Sequence, residues 1–181
     1  MNYLKYLFFF SITFLLPFFS NAATLSISPS TGTYKVGETF SVNIVVNTES
    51  QSVNAISTNL TFPTNLIRVV SVSKNDSIIN YWVQEPSFSN TNGTVNLEGV
   101  IVNPGFSGAN GKVLRITFEA KSSGIAEIKY ALSSVLANDG LGTNILNNTN
   151  KASFTIGVTS AISTTPGEQA TPAPIFVSSS T

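Results

Sequence analysis

The fold class this sequence predicts is an all-β sandwich, and three observations predict it. From Leu25 onward, apolar residues recur at every second position in short runs, as at Phe40, Val42, Ile44 and Val46; that is the period of a strand with one buried face. Clusters of Gly, Pro, Asn, Asp and Ser separate the runs, supplying the φ values and local hydrogen bonds that turns need. No segment carries the 3.6-residue apolar stripe of an amphipathic helix. Strands at this spacing, roughly eight or nine of them, pack as two sheets in an immunoglobulin-like architecture.

Residues 1–22 read MNYLKYLFFFSITFLLPFFSNA, with one positive charge at Lys5, an apolar run over 6–19, and small residues at Ser20 and Ala22. This is the form of a secretory signal peptide. The run is broken by Pro17 and falls short of the roughly 20 residues a spanning helix needs. The expectation is a secreted protein, extracellular or in the cell envelope, with no stable membrane span after cleavage. Export permits disulfides, yet the chain has no Cys, so an exported domain must be held by its core alone.

The mature domain is expected over residues 23–158. After the run that starts at Leu25 comes 40–46, and then 55–62, where Ile56, Leu60 and Phe62 point inward with Thr58 in the gap. Further runs cover 66–72, 78–83, 95–102, 113–120, 125–132 and 152–158. Turns are expected at Ser30-Thr31-Gly32, Pro63-Thr64-Asn65, Lys74-Asn75-Asp76, Thr91-Asn92-Gly93, Asn103-Pro104-Gly105, Ala109-Asn110-Gly111, Ser123-Gly124 and Asn138-Asp139-Gly140. Residues 159–181 are rich in Ser, Thr, Pro and Ala without apolar period, which reads as a flexible tail.

Composition narrows the chemistry. With no His and no Cys there is no zinc finger, no cysteine nucleophile and no Ser-His-Asp triad. The formal net charge is +0 and the nine basic residues are scattered, so there is no footprint for a phosphate backbone and no nucleic acid is expected. Charged residues make up 10% of the chain, against about 25% in ordinary soluble domains. Such a surface suits an uncharged, hydrogen-bonding partner.

The carboxylates offer no pair at glycosidase spacing; Glu38 falls in a turn, and Glu119 and Glu127 alternate outward from strands. Asn138-Asp139-Gly140 supplies one carboxylate where a calcium loop supplies several, so it reads as an Asx turn with Gly at positive φ. No catalytic residue, metal ligand or cofactor is assigned. Tyr81 and Trp82 are candidates for carbohydrate contact, but as strand neighbours they point to opposite faces and form no flat platform. The strand bearing Ala55, Ser57, Asn59 and Thr61 is the stronger candidate. With Ile56, Leu60 and Phe62 inward, it leaves an outward row of small uncharged side chains on which a partner can lie closely.

The order of segments resembles a cohesin domain across residues 24–158. Tyr34-Lys35-Val36-Gly37-Glu38-Thr39-Phe40-Ser41-Val42 is similar to the family's xPGDTFxVxV strand, and the strand 55–62 with Pro63-Thr64-Asn65-Leu66 to its YDPxxL turn. Gly111-Lys112-Val113-Leu114-Arg115-Ile116-Thr117-Phe118-Glu119-Ala120-Lys121, Gly124 and Asp139-Gly140 resemble its GxLxxIxFxxK, glycine and DG stations. The resemblance implies a jelly-roll sandwich of about nine strands, related in fold to carbohydrate-binding modules. It also implies a non-catalytic module that binds a dockerin-type partner in assemblies linked to polysaccharide degradation, through the face bearing Ala55, Ser57, Asn59 and Thr61. Ala55 and Ser57 stand where cellulosomal members often carry Asn and Asp, and Pro63 replaces the turn Asp. The alternatives are a carbohydrate-binding module contacting polysaccharide directly and a structural envelope domain.

Overall fold

The computed structural model describes residues 22–157; the expected signal peptide up to residue 21 and the expected tail 159–181 lie outside the described residues. Eleven strands are present: β1 Ala23–Ser28, β2 Thr31–Lys35, β3 Thr39–Asn47, β4 Val53–Thr61, β5 Ile67–Ser73, β6 Tyr81–Ser89, β7 Thr94–Val100, β8 Gly111–Ala120, β9 Gly124–Ala137, β10 Leu146–Asn150 and β11 Ala152–Gly157. They form a five-stranded sheet in the order β10-β1-β3-β8-β5 and a six-stranded sheet in the order β2-β11-β9-β4-β7-β6. No helix occurs among the described residues.

Alternation builds the core. Leu25 and Ile27 of β1, Val42 and Ile44 of β3, and Ile116 and Phe118 of β8 face Ile56 and Leu60 of β4, Ile128 of β9, and Phe154 and Ile156 of β11; all are at most 2% exposed. Aromatic rings close one end of it. Phe40 stacks on Tyr34 with ring centroids 4.2 Å apart and lies 4.9 Å from Phe154, while Phe62 meets Phe118 edge-on at 5.4 Å. These offset and edge contacts suit the ring quadrupole, in addition to the area they bury.

Two strands exceed the expected eight or nine runs, and both are edges. β2 takes in Thr31 and Gly32, which the sequence assigned to a turn; it runs parallel to β11 and buries none of its own residues fully. β10 reads LNNTN and pairs parallel with β1 alone. Neither carries the apolar alternation by which a strand is recognised. The expected run at 78–83 is also displaced, because Ile78 and Ile79 belong to the preceding loop. Ile79 is buried against Gly99 of β7, so closely that a side chain at Gly99 would meet it.

The long strand β9 changes parity midway. Ala126 and Ile128 point inward, and so do Val135 and Ala137, which cannot hold in an unbroken period of two. A bulge at Ala131 resolves the conflict: Leu60 of β4 lies opposite Tyr130, and the adjoining Asn59 lies opposite Leu132. One extra residue in β9 thus turns Leu132 outward. The edge strand β6 is bulged twice against β7 and carries Pro86, and the edge strand β5 has a bulge at Val70.

Candidate interaction face

Ile56, Leu60 and Phe62 are 0%, 0% and 6% exposed, so the opposite side of β4 faces out as the sequence predicts. The registers of its neighbours place Ala55, Ser57, Asn59 and Thr61 in a grid. Ala55 lies between Leu136 of β9 and Val100 of β7, with Tyr81 of β6 beyond. Ser57 lies between Ser134 and Glu98, followed by Gln84; Asn59 between Leu132 and Asn96, followed by Ser87; Thr61 between Lys129 and Thr94, followed by Ser89. The rows therefore grade from largely apolar, through two mainly polar rows that carry Glu98 and Leu132, to a row ending in the Lys129 cation.

The polar side chains are tied sideways within the sheet. The Ser57 and Ser134 hydroxyls are 2.9 Å apart, and the Asn59 amide donates to Oδ1 of Asn96. Such cross-strand pairs hold the rotamers of the face, so little side-chain freedom remains to be lost on contact with a partner. On the inner side Thr58, the gap in the apolar alternation, is 5% exposed and shares a hydrogen bond of 2.7 Å with Ser133. A shallow hollow of about 320 Å3 opens between Ser57, Asn59, Gln84, Asn96, Glu98 and Leu132.

Leu132 is 79% exposed at the edge of this hollow. The sequence reading missed it, because the run 125–132 taken at an unbroken period points it inward. The signal was present in the opposed parities of Ile128 and Val135. Among the described residues Glu98 has no ion-pair partner, so it is the free carboxylate of the face.

Tyr81 and Trp82 separate as expected. Tyr81 is 64% exposed, whereas Trp82 packs against the core with the Lys74 ammonium 5.9 Å from its ring centroid. The Asn138-Asp139-Gly140 turn is an Asx turn: the Leu141 backbone N–H donates to Asp139 Oδ1 at 2.8 Å, and Gly140 has φ 73°. Hydrogen bonds from Thr143 and the Leu141 backbone hold the Asp139 carboxyl below its ordinary range. Glu127 accepts from Lys129 and Lys151, which lower its pKa to about 2. The Lys112 hydrogen bond likewise lowers Asp76. These carboxylates are held ionised in ion pairs or turns, and none has the raised pKa of a general acid. Among the described residues no group of three His, Cys, Asp or Glu could hold a metal ion.

The family model of the cohesin domain matches residues 23–158. Solved structures with the same fold include the cohesin–dockerin complex Coh-OlpC-Doc435 of Clostridium thermocellum, at 13% identity and TM-score 0.65, covering 77% of this chain and 96% of that one. The seventh ScaB type I cohesin of Pseudobacteroides cellulosolvens is similar at 20% identity and TM-score 0.63, over 83% and 99% of the two chains. A non-cellulosomal cohesin of the archaeon Archaeoglobus fulgidus is similar at 15% identity and TM-score 0.60, over 75% and 91%. No curated protein matches the sequence.

Proposed function

The chain belongs to the cohesin family, whose members are non-catalytic interaction modules, and on that premise we propose that it binds a dockerin-type module through the outward face of β9, β4, β7 and β6. In this reading the protein is exported by the signal peptide 1–22, and its domain 23–158 serves an extracellular or envelope assembly linked to polysaccharide degradation. Ala55, Ser57, Asn59 and Thr61 are the centre of the contact.

The observation that supports this most is Leu132, an apolar side chain held in the open beside a row of pre-ordered, uncharged hydrogen-bonding groups. An apolar anchor that becomes desolvated, ringed by polar groups, is the usual anatomy of an interface hot spot. Four strands by four rows span roughly 15 by 20 Å. A partner must therefore also meet flanking loops to reach the roughly 800 Å2 per side of a stable complex. Tyr81 and the free carboxylate of Glu98 extend the patch towards β6.

Calorimetric titration of the purified chain with dockerin modules, including any encoded in the same genome, tests the reading. Binding should be measurable, and Ser57→Arg and Leu132→Ser should each weaken it by about tenfold or more with the fold unchanged. Absence of binding to every dockerin tried would sink the proposal. Retention on insoluble cellulose or chitin that is lost in Tyr81→Ala, the exposed ring of the pair, would favour direct polysaccharide binding instead.

A further inference from the structure

The chain leaves the sandwich at a corner of the six-stranded sheet. Near the end of β11, Thr155 pairs with Ile125 of β9 on one side and with Thr33 of β2 on the other. Ile125 is 66% exposed and borders a hollow of about 310 Å3 that is lined by Thr61, Phe62, Pro63, Ile125, Glu127 and Lys129. Pro63 and Ile125 give it apolar surface, while the Phe62 ring is turned into the core. Its rim has surplus positive charge, because Lys129 and Lys151 share the single carboxylate of Glu127.

Residues 158–181 follow directly from this corner. They contain one charged residue, Glu168, and one apolar triplet, Ile175-Phe176-Val177, amid Ser, Thr, Pro and Ala. We propose that residues 175–177 dock in the hollow of their own chain, with Glu168 drawn to Lys129 and Lys151. A linker with this number of residues reaches about 23 Å root-mean-square by chain statistics, ample for a site one strand away from the exit. The entropy of closing such a loop grows slowly with its length, and shielding Ile125 together with Ile175 and Phe176 from water offsets it. The hollow includes Thr61 and Lys129, so the docked segment covers the cationic end of the interaction face and limits what a partner meets there.

The absence of cysteine makes a clean test possible in the full chain. Thr33 and Ile125 lie one strand to either side of Thr155, at equal distance from the exit. Under mild oxidation, the pair Ile125→Cys with Phe176→Cys should form its intramolecular disulfide about tenfold faster than the pair Thr33→Cys with Phe176→Cys, a ratio of effective concentrations. Adding Ile175→Asp and Val177→Asp should bring the two rates together. Equal rates in the first comparison, or a disulfide that is mainly between chains, would overturn the proposal. No partner enters the measurement, so its failure leaves the dockerin reading untouched, and the failure of that reading leaves this one standing.

Discussion

Tyr130 offers a direct way to measure the cost of a buried, unpaired hydroxyl in this sandwich. Tyr130 keeps the inward parity of Ala126 and Ile128, just ahead of the bulge, and lies opposite Leu60 with its hydroxyl buried and without a hydrogen-bond partner among the described residues. Burial alone pushes its ionisation well above the ordinary tyrosine value. A buried hydroxyl left unpaired costs about 1–3 kcal/mol. Tyr130→Phe removes the hydroxyl and keeps the ring, at the expense of a void about one oxygen in size. The net expectation is a gain of about 1 kcal/mol. For a domain of this size that corresponds to a rise in Tm of roughly 4 °C, or to a urea midpoint higher by about 0.5 M with the slope m unchanged. Equilibrium urea unfolding followed by circular dichroism measures the midpoint and m, and a thermal scan with the same signal measures Tm. A loss of about 0.5 kcal/mol or more would refute the argument, since it would mean that the hydroxyl makes a stabilising bond in solution.

Two further expectations concern charge and backbone. Glu127 has a folded pKa of about 2 against an ordinary 4.5, so its stabilising contribution is full above the unfolded value and is lost as pH falls from about 4.5 towards 2; Glu127→Gln should flatten the acid limb of stability measured by urea titration at pH 6, 4 and 2.5, and an unaltered slope would contradict it. Gly93 has φ 67°, and a β-carbon there would run into the Phe62 carbonyl oxygen and stand 2.8 Å from the Thr64 methyl. Gly93→Ala should therefore destabilise the domain by about 1–3 kcal/mol in the same unfolding assay; a change under about 0.3 kcal/mol would be inconsistent with this geometry.

The central strands were legible because each has a buried face, and burial on one face writes an alternation into the sequence. The outward row of β4 followed from Ile56, Leu60 and Phe62 by parity alone. β2 and β10 were not legible. Each is held at a sheet edge by backbone hydrogen bonds, which act without regard to side-chain type. Leu132 was missed for a different reason. A bulge is a local shift of register, visible only when two stretches of one strand are compared, and the apolar run 125–132 ends before Val135 and Ala137, where the conflict of parity shows. Cross-strand pairings such as Asn59 with Asn96 depend on register between distant segments, which spacing along one strand does not contain.

The four borders of the two sheets have one property in common. β6 is interrupted by two bulges and Pro86, β5 is kinked at Val70, and β2 and β10 are five residues each. An open border invites a neighbouring molecule to add its own backbone, whereas short, kinked or proline-bearing borders refuse it. A domain bounded this way can be crowded with its own copies without zipping into a continuous sheet, which leaves its broad side open for the contact proposed above.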